Sequence, residues 1–107
     1  MDPLFDEFLH VPARLSVVAL PAPAERGDFD FIRNSVGTSD SALSKQVSAL
    51  AAAGHVVVRR GQDKRARRTY VQLAPRGRSA FQRHAAALER IVALARDSAD
   101  RPAADQQ

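Results

Sequence analysis

The hydrophobic residues between positions 38 and 54 recur at the spacing of an amphipathic helix. Leu43, Val47 and Leu50 stand at i, i+4 and i+7, so they share one face. The rest of the circumference carries small or short polar side chains and almost no acid: Ser41, Ala42, Ser44, Lys45, Gln46 and Ser48. Solvated helix faces usually carry long charged side chains, which favour helix and keep the surface soluble. A face of serine and alanine instead predicts close approach to another surface, the alternative being an ordinary surface helix with few charges.

A shorter helix precedes this one. The segment 28–36 predicts a helix that begins at Asp28, whose carboxylate can cap the first turn. The inward positions, spaced i, i+3 and i+7, are Phe29, Ile32 and Val36. Gly37 ends this helix, and Thr38 or Ser39 supplies the next N-cap. Two helices joined by a tight glycine-containing turn make a helix-turn-helix.

Two β-strands are predicted after the helix-turn-helix. Gly54 ends the second helix in the left-handed conformation that glycine adopts easily. Residues 55–60 are rich in valine, and residues 68–73 alternate in a way that is typical of a half-buried strand. The face of the second strand that is predicted to be buried comprises Thr69, Val71 and Leu73. The loop 61–67 is then the tip of a β-hairpin, and this tip is rich in lysine and arginine.

Four stretches of the chain carry a resemblance to a known family. They are Val11-Pro12-Ala13-Arg14-Leu15, Thr38-Ser39-Asp40-Ser41-Ala42-Leu43-Ser44-Lys45, Gly54-His55-Val56 and Leu73-Ala74-Pro75-Arg76-Gly77-Arg78. In this order, over residues 3–95, they resemble the small winged-helix transcriptional regulators of the MarR and ArsR groups. The resemblance implies a mainly α fold with a small β-hairpin, a winged helix-turn-helix whose N- and C-terminal helices form a dimer layer. It also implies a homodimer on double-stranded DNA, with the second helix of the motif, the recognition helix, in the major groove and the hairpin, the wing, on the backbone or minor groove.

The predicted DNA contacts lie on the recognition helix and the wing. Serine, glutamine and lysine can hydrogen-bond to base edges and phosphates, and small side chains let a helix backbone enter the major groove. Lys45 and Gln46 are the best candidates for discriminating between sequences, and the wing cations for holding phosphates. The full set is Ser39, Ser41, Ala42, Ser44, Lys45, Gln46, Lys64, Arg65, Arg67 and Arg68. The alternative for the wing is a charged hairpin tip that is simply solvated.

The distribution of charge favours a polyanionic partner. The 107 residues carry a net charge of +4, and the sequence pI is near 10.6. Acids are concentrated in the first 40 residues, whereas the segment 59–78 holds eight lysines and arginines and one acid, Asp63. The positive pole is therefore at the wing. The absence of cysteine excludes disulfides, thiolate metal sites and cysteine redox sensing.

Both ends of the chain predict helices with an apolar side. Residues 2–9 suit a short helix capped by Asp2, residues 12–20 a second helix, and residues 75–97 a long final helix. The final helix has apolar residues spaced 4, 3, 4 and 3, close to the coiled-coil period. Together with the apolar side of the first helix, they make the predicted dimer interface: Leu4, Phe5, Phe8, Phe81, Ala85, Leu88, Val92 and Ala95. The alternative is that the final helix folds back on the first helix of its own chain.

The helix over residues 12–20 carries the remaining predictions about packing. Leu15, Val18 and Ala19 are expected to face inward. Arg14 on the same helix either reaches a phosphate or is solvated. Residues 1–97 are thus expected to form one winged-helix domain with flanking dimerisation helices, and residues 98–107 a disordered tail.

Other classes of function have less support. There is no Gly-rich phosphate loop, His-Glu-x-x-His spacing or paired carboxylates in an apolar setting, so no enzyme activity, metal or cofactor is predicted. His10, His55 and His84 are scattered in sequence and are interpreted as structural, a metal sensor being the alternative. A winged helix can also be a protein- or RNA-interaction module without operator specificity, but aromatic anchors are not evident on the third helix or wing.

With no basic signal region and no membrane-length apolar run, a cytoplasmic protein is expected.

Overall fold

Helices make up most of the fold. The computed structural model describes residues 2–20, 26–63 and 66–99. Its elements are α1 (Pro12–Ala19), β1 (Arg26–Asp28), α2 (Phe29–Val36), α3 (Asp40–Ala52), β2 (Val56–Asp63), β3 (Ala66–Leu73) and α4 (Pro75–Ala99). Across these ranges, four helices and one small antiparallel sheet confirm the predicted fold class, a mainly α winged helix-turn-helix.

The helix-turn-helix forms as predicted. Asp28 caps α2, because its Oδ1 accepts hydrogen bonds from two backbone N–H groups of the first turn at 2.8 and 3.1 Å. Gly37 ends α2 with a φ of 77°, a left-handed conformation that costs glycine little. Ser39 caps α3 by accepting from the N–H of Ala42. The buried side chains of the two helices are the predicted ones, Ile32, Leu43, Val47 and Leu50, with Phe29 and Val36 partly buried beside them.

The sheet has three antiparallel strands in the order β1-β3-β2. The β2–β3 hairpin is the predicted wing, and its pairing continues as far as Asp63 opposite Ala66. Most of the predicted loop 61–67 is therefore strand, and Lys64 and Arg65 lie outside the described residues. The strand β1 is not among the predicted elements. The tripeptide Arg-Gly-Asp has little intrinsic strand preference, so it is strand only as a partner along the edge of β3.

The predicted helix over residues 2–9 is wrong, because this segment forms turns and no α-helix. Asp2 caps one of these turns, since its Oδ1 accepts from the N–H of Leu4 at 2.9 Å. The same carboxylate pairs with Arg90 on α4, and the hydrogen bond from this guanidinium lowers the pKa of Asp2 to about 2. Short helices are marginal in water, so tertiary contacts of this kind override a weak helical preference.

α1 has the predicted position but a different buried face. Val18 is buried as predicted, and Val17 is buried beside it. Leu15 is only partly buried, although it does pack against the core, and Ala19 is half-buried. The core joins all the layers of the fold: Leu9, Val17, Val18, Ile32, Leu43, Val47, Leu50, Val56, Val71, Leu73 and Ala80.

The first turn of α4 touches the backbone that connects α3 to β2. Pro75 is the first residue of α4, where its missing N–H leaves no helical hydrogen bond unmade. A Cβ on Gly77 would lie 2.0 Å from the carbonyl oxygen of His55. The same oxygen accepts a hydrogen bond from the N–H of Ala74 at 2.9 Å. The glycine in this motif is therefore required by the close contact of two backbones.

The surroundings of α4 change along its length. Its first half is buried at Gly77, Ala80, His84 and Ala87. Part of this half packs against the N-terminal segment of the same chain, residues 2–10, as the alternative for this helix predicted. Beyond residue 90 its apolar side chains are exposed, with Leu94 exposed to 68%. Residues 98 and 99 are helical rather than part of a disordered tail, and residues 100–107 lie outside the described part of the chain. Within that part, no helix has the length and apolar character that a membrane crossing requires.

Candidate nucleic-acid interface

The outer face of α3 presents the side chains that the sequence placed there. The small and polar side chains that are exposed here include Ser39, Ser41, Ala42, Ser44, Lys45 and Ser48, and the acidic Asp40 in the first turn is exposed too. Ser39 is also the N-cap, and its Oγ lies 3.4 Å from the Oγ of Ser41. Because the buried stripe lies on the opposite side, this face projects away from the core, where its exposed side chains can meet another molecule.

Gln46 and Arg14 form a contact that the sequence analysis missed. Arg14 is half-buried and hydrogen-bonded, so the alternative of a simply solvated arginine is wrong, while a phosphate contact of Arg14 stays a prediction. Its Nε donates to Oε1 of Gln46 at 2.8 Å, its Nη1 donates to the carbonyl of Phe8 at 3.1 Å, and its guanidinium stacks 4.5 Å from the Phe8 ring centre. This contact orients the half-buried Gln46 amide through its carbonyl oxygen and ties α1 to the edge of α3.

The first turn of α3 carries an acid that is neutralised from the preceding helix. Asp40 pairs with Nη1 of Arg33, which also reaches Asp30 at 3.2 Å. The hydrogen bond to Asp40 raises the pKa of Arg33 above its ordinary value, although burial opposes the shift. A free carboxylate here would repel a phosphate backbone. Arg33 therefore offsets the negative charge at the start of α3, a pairing that was not predicted from the sequence.

Asp28 links the start of α2 to strand β3 of the wing. While Oδ1 of this residue caps the helix, Oδ2 accepts from Nη1 of Arg68 at 3.2 Å. Partial burial opposes ionisation of Asp28, but the backbone N–H groups and the Arg68 guanidinium together hold its pKa below its ordinary value. Arg67 and Arg68 are exposed. Lys64 and Arg65, the other predicted wing contacts, lie outside the described residues.

The two faces of β2 carry adjacent arginines with different surroundings. Arg60 is the cross-strand partner of Thr69, and Val58, two positions earlier on β2, is the partner of Val71. Because side chains two positions apart share a face, Arg60 lies on the face of the sheet that carries the core, past the last core residue. Arg59 lies on the opposite face, where its Nε donates to Oε1 of Gln72 at 2.7 Å. Arg60 contributes to a groove between α3 and the wing. The groove is lined by Phe29, Ser44, Val47, Ser48, Val58, Arg60 and Thr69.

The three histidines are not scattered in the fold, as their spacing in the sequence suggested. His84 is completely buried; its Nδ1 accepts from the N–H of Asp6 at 3.0 Å, and its Nε2 lies 3.2 Å from Nδ1 of His10. His55 is also buried, and its ring packs 5.6 Å from that of Phe8. All three therefore contact the N-terminal segment. Among the described residues, no three histidine or acidic side chains are placed to hold a metal ion.

The chain thus combines a helix-turn-helix with a basic hairpin, and we compared it with known proteins. The model of the family described as winged helix DNA-binding domain matches residues 13–92. The chain belongs to this family. The match extends from α1 of this winged-helix domain into the second half of α4, so it includes α3 and the wing. Comparison with curated protein sequences gives no match.

Solved structures share the fold of this winged-helix domain. A transcriptional regulator homologue from Pyrococcus horikoshii OT3 has a TM-score of 0.75 at 21% identity, over 90% of this chain and 91% of that chain. The PcaV regulator from Streptomyces coelicolor, in complex with its natural ligand, has a TM-score of 0.73 at 20% identity, over 96% of this chain and 70% of that chain. A MarR-family regulator from Silicibacter pomeroyi has a TM-score of 0.55 at 24% identity, over 78% of this chain and 58% of that chain. The predicted resemblance to MarR-type winged-helix proteins is confirmed.

Proposed function

We propose that this winged-helix domain is a sequence-specific transcriptional regulator that binds double-stranded DNA as a homodimer. The observation that carries the proposal is the outer face of α3, which is exposed, short-chained and able to hydrogen-bond. Its acid at the first position, Asp40, is paired with Arg33 and so adds little repulsion. A helix face of this kind can lie against base edges in a major groove.

In this proposal α3 and the wing have different tasks. Ser41, Ser44 and Lys45 contact base edges and neighbouring phosphates, while Ala42 permits close approach of the helix backbone. Gln46 donates through its amide nitrogen, because its carbonyl oxygen already accepts from Arg14. On the wing, the phosphate contacts come from Lys64, Arg65, Arg67 and Arg68, one of which can enter a narrow minor groove.

The second half of α4 supports a dimer. It leaves an apolar surface that a second copy of the chain would cover, since soluble proteins rarely expose contiguous apolar patches. Of the predicted interface residues, the exposed ones are Leu4, Val92 and Ala95, and the half-buried ones are Phe5, Phe8, Phe81, Ala85 and Leu88. Phe8 and Phe81 pack against the core of their own chain, so they would support the dimer layer from beneath. A two-fold dimer implies half-sites about 10 base pairs apart.

Lys45→Ala tests the proposed role of α3. It should lower the ratio of affinities for the operator and an unrelated duplex by about tenfold, within the 1–3 kcal/mol that a good base contact contributes. The matched control is Arg83→Ala, which removes one positive charge from an exposed position on α4 and should leave the ratio unchanged. The measurement is fluorescence anisotropy with both duplexes at one salt concentration. An unchanged ratio for Lys45→Ala would remove this residue from base recognition.

The competing function, a protein- or RNA-interaction module, finds less support at the same surface. Such a module would use aromatic or leucine anchors on α3 or the wing. Among the described residues of those elements, the aromatic side chain is Tyr70, which is half-buried. The largest exposed aromatic, Phe31, lies on α2.

A further inference from the structure

We infer that the groove between α3 and the base of the wing holds one phosphate of the DNA backbone, with Arg60 as its cationic ligand and Thr69, Ser44 and Ser48 as hydroxyl donors. This inference rests on the proposed function and adds a contact to it. Arg60, Thr69 and Ser48 are not among the residues for which the sequence analysis predicted DNA contacts. The groove adjoins the outer face of α3, with which it shares Ser44 and Ser48, and its described lining residues do not include those of the wing tip.

The register of the hairpin places Arg60 in this groove. Arg60 and Thr69 are direct cross-strand partners, and they share the face on which Val58 and Val71 pair. Val71 is buried under the helices, whereas Arg60 and Thr69 lie where the sheet extends past them. The hydroxyls of α3 that line the other wall come from Ser44 and Ser48, one helical turn apart.

The chemistry of the lining fits a phosphate. Among the described residues that line it, the polar side-chain groups are one guanidinium and three hydroxyls, and none is an acid. Its floor is apolar, formed by Phe29, Val47 and Val58. A guanidinium–phosphate contact is a charge-assisted hydrogen bond, and the hydroxyls of the groove can donate to the same phosphate.

The groove also lies on the path that a DNA strand would take. It continues into a second depression lined by Arg60, Gly61, Arg67, Arg68 and Thr69, so cations follow one another from α3 to the wing. When α3 occupies the major groove and the wing reaches the adjacent minor groove, the backbone that separates the two grooves must pass between them. A phosphate held in this groove would therefore fix the position of the DNA backbone between α3 and the wing.

Arg59 provides a matched control because it is the neighbour of Arg60 on the same strand. Both are exposed arginines, but Arg59 lies on the other face and donates to Gln72. Replacing either residue with alanine removes the same charge from the same strand. Only the loss of Arg60 should remove a direct phosphate contact, which separates local contact from the general positive potential of the wing.

The experiment is anisotropy binding of each variant of this chain to the duplex upstream of its own coding sequence, taken as the operator, and to an unrelated duplex over a salt series. Arg60→Ala should make the log–log salt slope of the dimer less negative by about 2, one phosphate per subunit, without changing the ratio of operator to unrelated affinity. Arg59→Ala should leave the slope within error of the unmodified chain. Thr69→Val should weaken binding several-fold and leave the slope unchanged, because it removes a hydroxyl and no charge.

Two results would overturn the inference. One is an equal change of the salt slope in Arg60→Ala and Arg59→Ala, which would show that both arginines act only through the general positive potential of the wing. The other is an unchanged slope in Arg60→Ala while the unmodified chain still prefers its operator. If Arg60→Ala does not fold, Arg60→Gln, which keeps much of the stem, is measured in its place. Failure of the proposed function itself would look different, since the unmodified chain would then bind both duplexes equally or not at all.

Discussion

Gly77→Ala is expected to lower the free energy of unfolding by about 3 kcal/mol, at the upper end of what overpacking costs. The new methyl carbon would lie 2.0 Å from the carbonyl oxygen of His55 and 2.8 Å from its carbonyl carbon. Both atoms belong to the backbone at the junction of α3 and β2, so no side-chain rotation relieves the clash. The first turn of α4 would have to move away from the core, where Ala80 and His84 are buried.

Urea unfolding of the two proteins measures this loss, with Gly37→Ala as the matched control. Gly37 has a φ of 77°, and no atom lies within 4 Å of the position that a methyl group on it would occupy, so its substitution adds backbone strain but no clash. That strain costs about 1 kcal/mol. If Gly77→Ala were as stable as Gly37→Ala, the close approach of α4 to His55 would be wrong.

The second large effect is a loss of stability in mild acid. His84 must be neutral, because Nδ1 accepts from the N–H of Asp6 and Nε2 then carries the proton that points to His10. Burial lowers the pKa of His84 below its ordinary value of 6.5, the electrostatic influence of the neighbouring His10 lowers it further, and Asp6 opposes the shift. A second proton on His84 would place two donors face to face and detach residues 2–10 from α4.

The sign of the pH dependence follows from these directions. Burial also lowers the pKa of His55, with Asp6 opposing and the nearby Arg76 and Arg83 adding to the shift. Below about pH 6.5 the unfolded chain binds protons that the folded chain excludes, so stability is full above that pH and falls as the pH drops. Each histidine that stays neutral contributes a slope of about 1.4 kcal/mol per pH unit.

Unfolding midpoints measured between pH 7.5 and 5 test this prediction. His84→Leu should be less stable at pH 7.5, since it leaves the N–H of Asp6 unpaired, but it should lose less stability on acidification. The residual pH dependence would come from His55. A His84→Leu variant with the same pH slope as the unmodified chain would show that the histidine contacts of the N-terminal segment do not govern acid stability.

The parts of the fold that could be predicted from sequence depend on neighbouring residues. The cap at Asp28, the left-handed Gly37 and the stripe of Leu43, Val47 and Leu50 all act within one or two helical turns, so local pattern was sufficient. The exposed face of α3 followed from the same stripe. The predicted outer positions are exposed because the inner ones are buried.

The features that were missed depend on partners far along the chain. Residues 2–9 form turns because His84 and Arg90, about 80 positions away, hold them. β1 forms on the edge of β3, and Arg14 bonds to Gln46, 32 positions later. No local preference contains this information, and a single sequence offers no other source for it.

Arg60 is a different case, because a signal for it was present. Counting by two from Val56 and Val58 reaches Arg60, which places it on the apolar side of β2 beyond its last valine. The cations of the wing were predicted as one group, without regard to the alternation of side chains along a strand. That alternation assigns Arg59 and Arg60 to opposite faces.

The central claim is that this winged-helix domain recognises a specific DNA sequence as a dimer. The most direct test is anisotropy binding of the unmodified chain to the duplex upstream of its own coding sequence and to an unrelated duplex, across a salt series and at saturation. We expect preference for the upstream duplex, two chains per site and a log–log salt slope of about −5, from about three phosphate contacts per subunit. Equal binding to both duplexes, or binding to neither, would contradict the claim.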